Sequence, residues 1–392
     1  MKEVVIVAAK RSAIGNFGGS LKDISPVNLA SQVLKATFEG IQLSPKEINE
    51  VILGQVLQAG NGQNTARQVV IKSGLHQNTP AYTVNKVCGS GLKAVALAYQ
   101  SILSGENDLV VAGGVENMSQ TPYLLKKARF GYKMGNAEMI DSMIIDGLWC
   151  AMNDYHMGQT AENLCKLYQI TRQEQDNFAL NSQQKAFKAQ QSGRFKDEII
   201  PIEIPDKKGI KIFDNDEFIR ADSSLESLSK LKPAFNKDGS VTAGNSSGIN
   251  DGAAIVILCS KQKAQDLGLK PLVSIEGFGT AGVDPSIMGI GPVEATKKVL
   301  QKTKLNLEQI DLIEANEAFS AQSLAIDKEL HFNPEKLNVN GGAIALGHPI
   351  GASGARILVT LIHEMLKRKS TYGLATLCIG GGQGIASIIK SC

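Results

Sequence analysis

The chain has 392 residues, of which 43% are hydrophobic and 20% charged, and its formal net charge at pH 7 is +3. This length predicts two or three domains, and the small net charge argues against a nucleic-acid-binding protein. Six scattered cysteines form no CxxC pair and no zinc-like cluster with histidine, and no run approaches the roughly 20 apolar residues of a membrane helix. We therefore expect free thiols, no metal, no membrane span and, by default, the cytoplasm.

The same order of predicted elements occurs twice along the chain. An apolar run at residues 4–9 predicts a buried strand, and residues 43–54 read as a capped helical turn that leads into another. Residues 305–314 repeat the second pattern, and in each half a glycine-rich segment, a helix and a strand that ends in glycines follow. Although α/β proteins are often weakly self-similar, several features recur here in one order. The sequence thus predicts two duplicated α/β halves with mostly parallel, buried strands.

A more polar segment, residues 119–247, separates the halves and reads as an inserted domain over the active site. Its basic cluster at residues 126–133 is interpreted either as a solvated loop or as a contact to another subunit or to substrate phosphates. A helix from Thr171 to Ser192 is predicted, because Thr171 and Glu174 have the spacing of a capping box.

Two glycine-framed residues are candidates for nucleophilic catalysis. Cys88 lies within residues 85–91, at the predicted start of a helix, where the positive end of the helix dipole would lower its pKa. His348 lies between Gly347 and Pro349, also just before a predicted helix. Each could instead be structural, but together they suggest a nucleophile and its base.

Cys378 and Asn316 are weaker candidates. Cys378 follows an apolar strand and precedes glycines whose N–H groups could bind an oxyanion, although it could simply end the strand. Asn316 could position water or orient a carbonyl, or it could cap a helix.

These segments, residues 85–91, 316–319, 347–349 and 378–382, together resemble the motifs of the thiolase family. The resemblance extends through residues 113–119 and 243–253 and covers the whole chain in order. It implies the thiolase fold, in which two βαβαβαββ halves pack as an α/β/α/β/α core with an inserted loop domain. The expected limits are 1–118 plus 249–270 for the first half, 119–248 for the insertion and 271–392 for the second half.

The resemblance also implies a Claisen cycle between acyl-CoA thioesters. Cys88, deprotonated with help from His348, would take the acyl group from one thioester. Cys378 would then remove a proton from the α-carbon of acetyl-CoA, whose carbanion attacks the acyl-Cys88 carbonyl. One oxyanion hole would consist of His348 and a water held by Asn316, and the other of the N–H groups of Cys88 and Gly380. No metal or redox cofactor is implied, because the thiols and the amide dipoles would supply the chemistry, and the CoA thioesters are substrates.

By the same resemblance, the inserted segment would bind coenzyme A. Ser247 would contact pantetheine, and Arg220 and Ser227 would lie near the nucleotide. The remaining implied substrate residues are His156, Met157, Phe235, Ala243, Gly244, Met288, Ala318 and Phe319. Met157 and Met288 would shorten the acyl pocket and favour acetyl-CoA and acetoacetyl-CoA as substrates, as in an acetyl-CoA C-acetyltransferase. The basic loop resembles one that joins dimers into homotetramers.

Three alternatives remain. A degradative 3-ketoacyl-CoA thiolase would accept longer chains. A decarboxylating ketoacyl synthase shares the fold and the cysteine nucleophile, but it uses a second histidine or an asparagine–histidine pair and no basic cysteine, so the presence of Cys378 argues against it. A non-catalytic acyl-CoA or lipid-binding protein on this fold would have lost a catalytic residue, and none is lost here.

Overall fold

The computed structural model describes residues 2–207 and 209–392, which form a mixed α/β structure. The strands are β1 (Val4–Ser12), β2 (Gly15–Asn16), β3 (Glu50–Gly54), β4 (Ala81–Val84), β5 (Leu109–Asn117), β6 (Tyr123–Leu124), β7 (Ile140–Asp141), β8 (Trp149–Cys150), β9 (Tyr155–His156), β10 (Ile199–Ile200), β11 (Ile202–Asp206), β12 (Gly209–Phe213), β13 (Asn250–Ser260), β14 (Val273–Gly282), β15 (Leu312–Ala315), β16 (Tyr372–Ile379) and β17 (Gln383–Ser391). The helices are α1 (Pro26–Glu39), α2 (Thr65–Lys72), α3 (Ser90–Ser104), α4 (Met157–Tyr168), α5 (Arg172–Gln191), α6 (Leu225–Ser229), α7 (Lys261–Asp266), α8 (Gly291–Thr303), α9 (Ser320–Leu330), α10 (Ala343–Leu346) and α11 (Ile350–Arg368). Short 3₁₀ or π turns occur at Pro45–Glu47, Met118–Gln120, Ala128–Phe130, Ile144–Leu148, Pro285–Ile290 and Leu307–Gln309.

The sheet has the same strand order in both halves of the chain. The first half runs β4-β3-β5-β13-β1, and the second runs β15-β16-β17-β14. Leu337 forms a parallel bridge with Ile313 of β15, so it occupies the place that β4 has beside β3. In each half a parallel pair, β3 with β5 or β15 with β16, is followed by antiparallel neighbours. The predicted duplication is therefore confirmed. The prediction of mostly parallel strands is wrong, because the pairings that link β16 through β17, β14, β1 and β13 to β5 are all antiparallel.

The local signals read from the sequence also form as expected. Ser44 caps the turn Pro45–Glu47, and Asn306 caps its counterpart Leu307–Gln309. The Thr171 hydroxyl accepts a hydrogen bond from the Glu174 N–H, and the Glu174 carboxylate accepts one in return from the Thr171 N–H, so the predicted capping box opens α5. Each cap satisfies N–H groups that a helix start leaves without partners.

The two halves enclose a central layer that consists of α3 and α11. Alternate residues of one strand point to opposite sides: Ile52 of β3 packs in the central core, whereas Val51 and Leu53 pack under α1 and α2 on the outer face. On the other side, α8 covers the outer face of the second half. The layers therefore follow the expected α/β/α/β/α order.

The inserted segment is fixed to the first half by a buried arginine on β1. The Arg11 guanidinium donates two hydrogen bonds to Asp216, at 2.7 and 2.8 Å, and one to Glu198 at 2.7 Å. All three side chains are buried, and Arg11 also lies over the Phe195 ring. A buried bidentate pair of this kind holds the inserted segment in a defined position on β1, because the loss of either partner would leave an uncompensated buried charge.

The limits of the three predicted domains stay a prediction.

Candidate active site

Cys88 lies in a strained turn directly before α3. Val87, a β-branched residue, has a φ of 46°, in the left-handed region that such residues rarely adopt. Ser90 holds the turn, because its hydroxyl accepts from the Lys86 N–H at 2.8 Å and donates to the Val87 carbonyl at 2.7 Å. A Cβ at Gly89 would lie 2.4 Å from the Ile379 side chain, so the missing side chain lets this turn approach the second half closely.

His348 occupies the matching position before α11. Its N–H donates to the Asn250 side chain at 3.0 Å, and its Nδ1 lies 2.5 Å from the Ser353 hydroxyl. Nε2 has no hydrogen-bond partner among the described residues. Burial, together with the positive charge of Arg356, lowers the pKa of His348 to about 3. The imidazole is therefore neutral at physiological pH before substrate binds.

A cavity of about 560 Å³ brings together residues from both halves and from the inserted segment. The predicted site residues that line it are Cys88, His156, Met157, Arg220, Phe235, Ala243, Ser247, Met288, Ala318, Phe319, His348 and Gly380. The described residues thus place the candidate nucleophile and the candidate base in one cavity, although they are separated widely in sequence.

The two candidate thiols are protonated in this setting. Burial raises the pKa of Cys88 to about 11, against the effect of N–H groups of Gly380 and of Cys88 itself that donate to the sulfur. The lowered pKa predicted from the helix start is therefore wrong in direction, because the loss of solvation outweighs the nearby dipoles. Burial and the neighbouring Cys88 thiol likewise raise the pKa of Cys378 well above its usual range.

Cys378 lies behind the cavity wall. It is fully buried at the end of β16, in an apolar cluster that includes Met157, Met288 and Phe319. The turn that follows requires glycine, since Gly381 and Gly382 have φ values of 85° and 80°. The Lys86 ammonium donates to the Gln383 side chain at 2.7 Å and so ties this turn to the Cys88 turn.

Asn316 ends β15 and is also buried. Its N–H donates to the Thr376 carbonyl at 3.0 Å, whereas neither side-chain atom has a partner among the described residues. The alternative that Asn316 caps a helix is wrong, because the N-cap of α9 is Phe319. A buried amide with free donors and acceptor suits a bound water or a substrate carbonyl.

Glu317 is a residue whose contribution the sequence did not reveal. Its buried carboxylate accepts hydrogen bonds from the Ser182 hydroxyl at 2.6 Å, the Asn338 amide at 2.8 Å and the Ile344 N–H at 3.3 Å. These bonds join α5, the segment beside β15 and α10, and so fix the backbone around Asn316 and the approach to His348. The carboxylate next to Asn316 was visible in the sequence, but its three partners were not.

Aromatic rings form the middle of the cavity. The His156 ring stacks on Phe235 with 4.6 Å between centroids, and Phe319 meets Phe235 edge-on at 6.1 Å. His156 Nδ1 accepts from the Gly158 N–H and so caps α4. Near the mouth, the Arg220 guanidinium lies 5.1 Å from the Phe218 ring centroid.

Two predicted substrate residues lie outside the cavity. Ser227 is exposed, and its hydroxyl donates to the Ser224 carbonyl at 2.9 Å within its own turn. At Gly244 a Cβ would lie 2.6 Å from Leu228 of α6 and 2.5 Å from Leu231, which follows that helix. Glycine at this position therefore lets the backbone around residue 244 pack directly against α6. Conversely, the sequence did not mark several lining residues: Asn16, Phe17, Leu148 and Ile350. They are ordinary apolar or loop residues that only the tertiary structure brings to the site.

Comparison with known proteins identifies the family. Residues 4–262 match the model of the thiolase N-terminal domain, and residues 269–391 match that of the thiolase C-terminal domain. The chain belongs to the thiolase family. It is an acyltransferase of that family, and among the described residues no helix has the length and hydropathy needed to cross a bilayer.

Close relatives extend over the full length of this thiolase. A Staphylococcus aureus (strain MRSA252) protein named probable acetyl-CoA acyltransferase is 57% identical over 391 residues, which cover 100% of this chain and 99% of the relative. A Chromobacterium violaceum protein named acetyl-CoA acetyltransferase is 58% identical over 389 residues, 99% of each chain.

Solved structures confirm the thiolase fold. The Bacillus anthracis acetyl-CoA acetyltransferase superposes with a TM-score of 0.98 at 48% identity, over 100% of this chain and 99% of that one. Human mitochondrial 3-ketoacyl-CoA thiolase gives 0.97 at 44% identity with the same coverage. The fold is thus common to relatives whose names describe different acyl chains.

Proposed function

We propose that the protein is an acetyl-CoA C-acetyltransferase, which reversibly condenses two acetyl-CoA into acetoacetyl-CoA and CoA. The observation that carries the proposal is that Cys88, His348 and Gly380 line one cavity, with Cys378 packed behind it. The names of the bacterial relatives support acetyl-CoA as the substrate.

In the first step, the Cys88 sulfur attacks the thioester carbonyl while His348 Nε2 accepts the thiol proton. The C–S bond to CoA breaks, and the departing sulfur takes a proton from Cys378, which leaves acetyl-Cys88 and a Cys378 thiolate. The N–H groups of Cys88 and Gly380, which already converge on the Cys88 sulfur, are suited to stabilise the oxyanion of this intermediate.

In the second step, the Cys378 thiolate removes a proton from the methyl group of a second acetyl-CoA. The resulting carbanion attacks the acetyl-Cys88 carbonyl, the bond to Cys88 breaks, and His348 returns its proton to the Cys88 sulfur. His348 Nε2, with a water on the free Asn316 amide, would stabilise the enolate oxygen. This chemistry uses thiols and hydrogen-bond donors and requires neither a metal nor a redox cofactor.

The second candidate is a degradative thiolase of broader chain length. The likeness to human 3-ketoacyl-CoA thiolase favours it. The buried Met157 and Met288 favour the short-chain assignment, because their side chains pack with Cys378 where a longer acyl chain would need space. Comparing the thiolysis rates of acetoacetyl-CoA and a long-chain 3-ketoacyl-CoA separates the two, since a faster long-chain reaction would reject the acetyltransferase assignment.

The test of the proposal is thiolysis of acetoacetyl-CoA by free CoA, followed by the loss of enolate absorbance. We expect activity in the wild type and a loss of about 10⁴-fold or more in Cys88→Ala, as for other removed nucleophiles. Cys392→Ala, which removes an exposed thiol, is the matched control and should remain active. A folded, reduced wild type that binds acyl-CoA without turnover would instead support the non-catalytic binding protein.

We also propose that the protein forms a homotetramer, a dimer of dimers, in the cytoplasm. The loop between β6 and β7 supports this assembly, because it exposes Phe130, within the basic cluster, and Met134, directly after it, at 89% and 95%. The same loop also exposes Leu125, Tyr132 and Met139, and such a concentration of exposed apolar side chains, unlike scattered ones, is typical of an interaction surface.

A further inference from the structure

The inner ring nitrogen of His348 has one buried partner, the hydroxyl of Ser353. Nδ1 lies 2.5 Å from Ser353 Oγ, and the same Oγ lies 2.9 Å from the Pro349 carbonyl oxygen. Ser353 is 1% exposed and lies in the first turns of α11, behind the imidazole. His348 lines the cavity, and its other ring nitrogen, Nε2, has no hydrogen-bond partner among the described residues.

These contacts fix which nitrogen carries the proton. A carbonyl oxygen only accepts, so the short contact between Pro349 O and Ser353 Oγ uses the single hydroxyl hydrogen. Donation by a serine hydroxyl to the carbonyl four residues earlier is a common helical arrangement. The Ser353 oxygen can then only accept from His348, and Nδ1 must be the donor. If the hydroxyl turned to Nδ1 instead, two oxygens would face each other at 2.9 Å with no hydrogen between them.

We propose that Ser353 is a positioning residue that holds His348 as the Nδ1–H tautomer, so that the lone pair of Nε2 faces the cavity. The inference rests on the proposed function for its catalytic consequence. In the opposite tautomer, Nε2 would carry a hydrogen and could not accept the Cys88 proton. Ser353 does not touch the substrate, so its effect on the reaction passes through the imidazole.

The direct test is ¹⁵N NMR of the enzyme labelled at its five histidines, since protonated and unprotonated ring nitrogens have clearly separated chemical shifts. A His348→Gln variant assigns the His348 signals by their disappearance. In the wild type at pH 7 we expect Nδ1 to be protonated and Nε2 unprotonated. The reverse pattern would overturn the proposal, whatever the activity of any variant.

The variant test uses Ser353→Ala. In this variant the Pro349 carbonyl still accepts hydrogen bonds from the N–H groups of residues 352 and 353, each at 2.9 Å. The substitution therefore removes only the hydroxyl oxygen that accepts a hydrogen bond from Nδ1. We expect His348 to populate the Nε2–H tautomer and kcat for thiolysis to fall about 10–100-fold, with KM little changed. Ser31→Ala is the matched control, because it removes an equivalent buried hydroxyl bond, to the Val27 carbonyl in α1.

The remaining outcomes separate the two proposals. A Ser353→Ala variant that keeps the Nδ1–H tautomer, or that retains the wild-type kcat, contradicts the role of Ser353. A wild type that shows the Nδ1–H tautomer but cleaves no acetoacetyl-CoA contradicts the proposed function and supports the assignment of the tautomer.

Discussion

At the scale of single residues, the site contains two neutral thiols and a neutral imidazole before substrate binds. Burial raises the pKa of Cys88 and of Cys378 and lowers that of His348, so no group carries a charge that must be desolvated when an acyl chain enters. The nucleophile must then be generated by proton transfer at the moment of attack. This dependence is why the tautomer of His348 matters for the rate.

The distinct role of Cys378 can be tested with Cys378→Ala. We expect the variant to be acetylated at Cys88 by acetyl-CoA, as mass spectrometry of the labelled peptide would show. Its thiolysis rate should nonetheless fall about 10²–10⁴-fold, the usual contribution of a general acid or base. Cys150→Ala, which alters the same buried cluster, serves as the control. Wild-type thiolysis in Cys378→Ala would contradict the assignment.

At the scale of elements, the duplication places the two candidate catalytic groups in equivalent positions. Cys88 and His348 each lie one residue before the N-cap, Gly89 of α3 or Pro349 of α11. The two helices cross where side chains are absent, since a Cβ at Gly354 would lie 2.5 Å from the Leu92 nitrogen and one at Gly91 would lie 2.7 Å from the Ala355 nitrogen. Close backbone contact between α3 and α11 thus brings both helix starts to one cavity.

Gly354→Ala should separate this helix pair. Because the new methyl group would meet backbone, we expect a loss of about 1–3 kcal/mol in the free energy of unfolding, together with reduced thiolysis. Urea unfolding followed by the fluorescence of the single tryptophan, Trp149, gives the measurement. Gly282→Ala is the control, since its Cβ would have one neighbour, at 3.9 Å. Equal stability of both variants would show that the crossing tolerates a side chain.

At the scale of the whole molecule, the inserted segment has two distinct surfaces. One is anchored on the core through the buried pair of Arg11 and Asp216, and it supplies the cavity wall that includes His156 and Phe235. The other is the loop that exposes Phe130 and Met134 away from the core. One segment therefore contributes both to substrate binding and to the proposed assembly.

The proposed tetramer predicts that Phe130→Ser combined with Met134→Ser halves the molecular mass measured by light scattering after size-exclusion chromatography. A dimer should remain, with a correctly folded core, because these side chains do not pack against it. Ile210→Ser removes another exposed apolar side chain, on β12, and should leave the mass unchanged. A wild type that is already dimeric would refute the tetramer.

The sequence by itself determined the order of the elements and the duplication. It also marked Cys88 and His348 as candidates, and the resemblance to thiolase motifs added weight to Cys378 and Asn316. These features depend on periodicity, caps and glycines that act within a few residues, so they are visible locally. The tertiary structure alone decided the direction of the Cys88 pKa shift, the position of Ser227 outside the cavity and the apolar wall that includes Leu148 and Ile350. Desolvation and cavity shape depend on residues far apart in sequence that meet only on folding, and for this reason no local pattern contained them.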